Sequence, residues 1–170
     1  MSRISVVLGG VVFASVSGLA TAQGLIQTQK LSAALANELV GESVAVCAKN
    51  GYKVVAVVVD TDGVRQALLR GDGAPIHSVD NAYYKAYSIA SLGIARKEET
   101  TKQMQDRMAK AAPTTVPQTP LPNVTYAQGA VAIMHNGATI GGLGVSGAPG
   151  GQFDEECARF ALGKVKDRMK

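Results

Sequence analysis

The segment Val54-Val55-Ala56-Val57-Val58-Val59-Asp60-Thr61-Asp62-Gly63-Val64-Arg65-Gln66-Ala67-Leu68-Leu69, followed by the corner Gly71-Asp72-Gly73-Ala74-Pro75, decides the fold. Residues 54–59 carry no polar interruption and are rich in β-branched side chains, which predicts a strand covered on both faces. Asp62-Gly63 supplies the residue types that a two-stranded turn needs, so residues 64–69 read as the returning strand. The glycine-rich corner then launches a helix over residues 75–92.

Upstream, residues 28–49 predict a long helix with Leu31, Leu35, Leu39 and Val46 on one stripe, Thr28 as N-cap and Asn50-Gly51 as its left-handed stop. Glu38 and Glu42 flank that stripe as edge charges. In the helix over 75–92, Val79, Ala82, Tyr83, Ala86, Ile89, Ala90 and Gly93 share one packed face. The other face carries His77, Asn81, Tyr84 and Ser88, where a solvated helix would normally show Lys and Glu. Such a face fits a ligand pocket or a subunit interface, with plain solvent exposure as the alternative.

Downstream, residues 98–112 predict a third helix. Four prolines within residues 113–122 exclude helix and central strand, and mark an extended surface connection. Asn136-Gly137 between two apolar runs predicts a second hairpin, residues 129–135 and 138–146. Glycines at 141, 142 and 144 punctuate its return strand. The stretch 146–151 leads into a last helix, 152–169, whose acids Asp154, Glu155 and Glu156 sit at the positive end of the helix dipole. Those acids and the lack of a phosphate-loop pattern argue against phosphate binding there, and a tight strand-to-helix turn accounts for the glycines. Two hairpins without strict strand–helix alternation predict an antiparallel sheet flanked by long helices, the three-layer α/β arrangement of profilin-like and PAS-like domains.

The chain has 170 residues, is 46% hydrophobic and 18% charged, and has no tryptophan, which suits one globular domain. Residues 1–22 show the pattern of a secretory signal peptide: Arg3, an apolar stretch, then Ala20-Thr21-Ala22. An uncleaved anchor is the alternative, although serines and glycines dilute the apolar run. Cleavage leaves one domain over residues 23–170, in the periplasm or secreted, with no stable membrane span. In an oxidising compartment Cys47 and Cys157 read most simply as a disulfide between two helices, and otherwise as buried thiols. Basic residues alternate with acidic ones, as in Arg96-Lys97-Glu98-Glu99, which disfavours nucleic acid as a partner.

Four groups of residues resemble the GlcG/HbpS family, in the same order along residues 28–168: Val59-Asp60-Thr61-Asp62-Gly63; Arg70-Gly71-Asp72-Gly73-Ala74-Pro75; Asp80-Asn81-Ala82 with Lys85-Ala86-Tyr87-Ser88-Ile89-Ala90-Ser91; and Ile140-Gly141-Gly142-Leu143-Gly144-Val145-Ser146-Gly147 with Asp154-Glu155-Glu156. The resemblance implies a profilin-like domain that assembles into homo-oligomers, with haem as a ligand of some exported members. Residues 126–133 depart from the Gly-Gly-x-Pro-Ile pattern that the family usually carries there.

Haem needs an apolar slot and an axial donor. On the unusual helix face, His77 is the favoured iron ligand, over His135 beside its turn, with Asn81, Tyr84 and Ser88 as neighbours and Lys85 and Arg96 as partners for the propionates. The contrasting reading is an enzyme or accessory protein for small hydroxy or oxo acids, using His77, Tyr84 and Lys85. No hydrolytic triad or metalloprotease motif can be assembled around two histidines.

Overall fold

The computed structural model describes residues 24–112 and 119–169; the signal-peptide pattern and most of the proline-rich connection lie outside them. The elements are α1 (Ala33–Lys49), β1 (Val55–Asp60), β2 (Arg65–Arg70), α2 (Ser78–Ser88), a π-helical turn (Ile89–Gly93) running into α3 (Ile94–Arg96), α4 (Thr101–Lys110), β3 (Ala130–His135), β4 (Ala138–Ser146) and α5 (Gly151–Val165). A short 3-10 turn, Lys166–Arg168, follows α5. The four strands form one antiparallel sheet in the order β2-β1-β4-β3.

Central β1 is buried along its whole length, as its uninterrupted apolar run requires. Val54, Ala56 and Val58 face a core shared with α1 and α5, built around Leu39, Val40, Leu143 and Ala158. Val55, Val57 and Val59 face the other side, against Ala82, Tyr83 and Ala86 of α2. Alternation along one strand thus produces three layers: α1 and α5, the sheet, and α2. Cys47 of α1 and Cys157 of α5 are joined by a disulfide with a Cα–Cα distance of 5.7 Å. Glu38 and Glu42 of α1 pair with Arg168 and Lys164, tying α1 at the surface to the 3-10 turn and to α5.

Three local expectations are corrected. The first helix starts five residues later than the pattern from Thr28 implies, because Ser32 caps it by accepting from the Leu35 N–H. Residues 28–31 are instead held to the first hairpin by Lys30, which pairs with Asp60 and Asp62. At that hairpin only Gly63 has positive φ, +78°. Asp60 organises the turn by accepting from the N–H groups of Asp62 and Val64, each at 3.0 Å. The second hairpin follows its Asn-Gly signal, with positive φ at both Asn136 and Gly137. The third correction concerns α2, whose buried side includes Ser78, Lys85 and Ser88. Its apolar stripe is therefore narrower than the sequence reading, and the polar row beside it runs into the interior.

Gly142 and Gly144 of β4 bring α2 onto the sheet. A Cβ on Gly144 would lie 2.2 Å from the Ala82 carbonyl oxygen, and one on Gly142 would lie 2.4 Å from that of Ala86. Both obstacles are backbone, so neither moves cheaply. Gly144→Ala is expected to cost about 1–3 kcal/mol or more by overpacking, read as a lower urea midpoint with unchanged slope.

Burial alone would raise the Asp60 pKa, but the Lys30 ammonium and the two turn N–H groups outweigh it and hold the carboxyl below its ordinary value. A lowered folded pKa means that the carboxylate stabilises the fold above its unfolded pKa of about 4, and that this is lost as pH falls through the folded value. Asp60→Asn should therefore flatten the acid limb of a stability-versus-pH curve below about pH 4.

Candidate functional site

The polar row on α2 leads from solvent to core. His77 is exposed at the N-cap position, Asn81 is half-buried one turn on, Lys85 is 3% exposed, and Ser88 is fully buried. Spacings of four, four and three keep these residues in line on one helix side. Each of the inner three meets a defined partner. Asn81 donates through Nδ2 to the Ser146 hydroxyl at 2.9 Å, at the end of β4. Ser88 accepts from the Thr125 N–H at 2.8 Å and so fixes the loop before β3.

Lys85 donates to the Val145 carbonyl at 3.0 Å and to the Asp154 carboxylate at 2.8 Å. Asp154, 3% exposed, also accepts from the Ala148 N–H at 3.0 Å. Burial pushes the Asp154 carboxyl up, and Lys85 and the Ala148 N–H pull it back only in part. Gly129 makes room for the pair, since a Cβ there would sit 2.6 Å from the Lys85 ammonium nitrogen and 2.9 Å from the Asp154 Cβ.

Above this pair opens a cleft of about 520 Å³ between α2, the loop before β3 and the β4–α5 turn. Its walls include Pro75, His77, Asn81, Gln128, Ser146 and Gln152, with Lys85 and Asp154 at its base. Thr101 braces one wall by accepting from the N–H groups of Gly129 and Ala130, at 2.8 and 2.9 Å. The lining is rich in amides and poor in free charge. It can take hydrogen bonds from or donate them to a ligand edge, with an imidazole at the rim.

Of the residues singled out in the sequence, the structure brings His77, Asn81 and Lys85 to this cleft and places the others elsewhere. Tyr84 is half-buried with its ring 5.9 Å from that of Tyr83, outside the cleft lining. Ser88 is committed to the loop backbone. Arg96 is exposed on α3 and does not line the cleft. Lys85 is not a free surface cation for a propionate, because Asp154 already neutralises it. The helix-dipole reading of Asp154 misses its partner Lys85, which no local sequence signal marks. His135 lines a different cleft, of about 450 Å³, at the far end of β4 with Leu31, Ile140 and Met169. Among the described residues no group of three or more His, Cys, Asp or Glu is placed to hold a metal ion, and no helix is long and apolar enough to cross a membrane.

Three layers about an antiparallel sheet, with a polar cleft where α2 meets the β4–α5 turn, define a three-layer α/β ligand-cleft architecture. The family model described as "Haem degrading protein HbpS-like" matches residues 31–163, and the chain belongs to that family. Solved structures agree. The crystal structure of HbpS is 32% identical with a TM-score of 0.73, over 86% of this chain and 96% of that one. A double mutant of Streptomyces reticuli HbpS is 30% identical with a TM-score of 0.74, over 89% and 98%. The crystal structure of a PduOC:heme complex is 26% identical with a TM-score of 0.68, over 79% and 94%. No curated protein matches the chain by sequence.

Removing one member of a buried ion pair leaves an uncompensated charge. Lys85→Met is therefore expected to cost about 3–5 kcal/mol in equilibrium urea unfolding, and adding Asp154→Leu should recover part of that loss. A single-mutant cost no larger than that of a surface substitution would show that the pair does not hold the cleft base.

Proposed function

We propose that this chain is an exported haem-binding protein that holds the cofactor at the cleft between α2 and the β4–α5 turn, with His77 as the axial iron ligand. One observation carries the assignment. Among the described residues lining that cleft, His77 is the only His, Met, Tyr or Cys, so of these it alone offers an ordinary haem-iron donor. Membership of a haem-degrading family and a relative solved with haem support the same ligand.

The residues fit the group in two parts. Asn81, Gln105, Gln128 and Gln152 offer amide N–H groups to carboxylates, and Pro75, Ala127 and Pro149 offer apolar contact. Ile76, between two lining residues, is 73% exposed and extends that apolar rim. Bound haem supplies an iron centre whose ligand binding and redox poise follow its axial donor and surroundings. The chain's own part is to present one imidazole on a braced helix start and to satisfy the polar edge of the ring.

Export rests on the signal-peptide pattern of residues 1–22, and the Cys47–Cys157 bridge suits an oxidising compartment. The mature chain is then a periplasmic or secreted domain beginning at Gln23. Exposed Val64, Leu68 and Leu69 on and beside edge strand β2 support assembly into a homo-oligomer. The small-acid enzyme reading has less support, since Lys85 is committed to Asp154 and Tyr84 stands outside the cleft.

The purified exported form is expected to have the mass of residues 23–170 and to give a Soret band on haem titration. His77→Ala should weaken haem at least tenfold and shift that band. An unchanged affinity and spectrum would remove His77, and loss in His135→Ala instead would move the cofactor to the other cleft.

A further inference from the structure

The polarity of the cleft indicates which end of its ligand enters. Resting on the haem reading above, we propose that the cleft recognises a carboxylate, and that haem is held by a propionate among the amides with its macrocycle toward the rim.

Four amide side chains line the cleft, at Asn81, Gln105, Gln128 and Gln152, and that of Asn81 donates to the Ser146 hydroxyl, also in the lining. Packing an apolar ring among these groups would strip their water without replacing its hydrogen bonds, at a cost of roughly 1–3 kcal/mol for each group left unpaired. A carboxylate accepts from them instead. Charge points the same way. The ionisable groups lining the cleft are His77, Lys85 and Asp154, and Asp154 is turned inward onto Lys85 and the Ala148 N–H. Among the described lining residues, no free carboxylate therefore opposes an incoming one.

The amide at position 152 is placed by the backbone. A Cβ on Gly150 would lie 2.6 Å from its Oε1 and 2.8 Å from its Nε2, so the Gln152 side chain folds back over the start of α5. Gly150 caps that 15-residue helix without a side chain, and the Gln152 amide lies over the cap position. Apolar contact, in contrast, comes from Pro75 and Pro149, with exposed Ile76 beside them.

The test compares haem with haem dimethyl ester, which keeps the iron and ring but has no carboxylate, on the mature protein and on Gln152→Glu. The acidic substitution lies in the first turn of α5, where a negative charge favours the helix, so the variant should fold; circular dichroism checks this. Haem should bind at least tenfold more tightly than its diester, and Gln152→Glu should weaken haem about tenfold while leaving the diester unchanged. Equal binding of haem and diester, or haem binding indifferent to Gln152→Glu, overturns the carboxylate inference and leaves the haem reading standing. If neither porphyrin binds but glycolate, titrated by calorimetry, binds and is lost in Gln152→Glu, the carboxylate inference holds and the haem reading falls. Binding of none of the three overturns both.

Discussion

The seat of α2 on β4 is the constraint on which the rest depends. Gly144 and Gly142 offer bare backbone to Ala82 and Ala86, one helical turn apart, so helix and sheet approach more closely than any side chain would allow. With that row fixed, the adjacent row of α2 must lie along the end of the sheet. His77, Asn81, Lys85 and Ser88 then fall at steadily greater depth, from solvent to a fully buried hydroxyl. One helix side thus supplies a rim imidazole, a wall amide, a basal cation and a loop anchor. A helix held farther off by ordinary side chains would leave that row in water.

The Lys85–Asp154 pair links layers that the sheet separates. Asp154 belongs to α5, which shares a core with α1, whereas Lys85 belongs to α2 on the opposite face. The two meet around the end of β4, where Val145 supplies a further acceptor. Desolvating both charges offsets much of their attraction, so the pair is a poor source of net stability. Its geometry is more telling. The carboxylate also takes the Ala148 N–H, so a single buried group fixes the β4–α5 turn relative to α2. Those two elements are facing walls of the cleft. Specifying their separation is the role the pair is placed to fill, and an apolar replacement would fill the space without orienting the turn.

Most of the architecture was legible because it rests on local signals. The apolar run at 54–59 and the Asn136-Gly137 turn are read from their own few residues, whereas the glycines of β4 mark a strand whose need for them comes from α2. Helix starts were less legible: Thr28 and Ser32 are both competent caps, and the tertiary tie from Lys30 to Asp60 and Asp62 holds residues 28–31 outside the helix. The site was partly legible for a related reason. Periodicity groups His77, Asn81, Tyr84 and Ser88 on one side of a helix, but a row at 100° per residue has an uncertain edge. Tyr84 falls just beyond that edge and packs on Tyr83, and Ser88 falls beyond the point where the row enters the core. Asp154 was out of reach because its partner lies 69 residues away, and nothing local distinguishes a buried acid from a dipole-favoured surface acid.

The bracing of the walls bears on how such a cleft can bind at all. Each wall is anchored by a buried group that hydrogen-bonds to backbone: Ser88 on Thr125, Thr101 on Gly129 and Ala130, and Asp154, already paired with Lys85, on Ala148. Side-chain-to-backbone anchors hold a loop without adding bulk, so irregular segments stay ordered next to an open space. A ligand then meets amides whose supporting backbone is already fixed, and less of its interaction energy is spent on ordering the protein. That favours ligands with a small polar end that fixed donors can recognise. It places the burden of covering any apolar remainder on the rim, where Ile76 stands exposed beside Pro75 and His77.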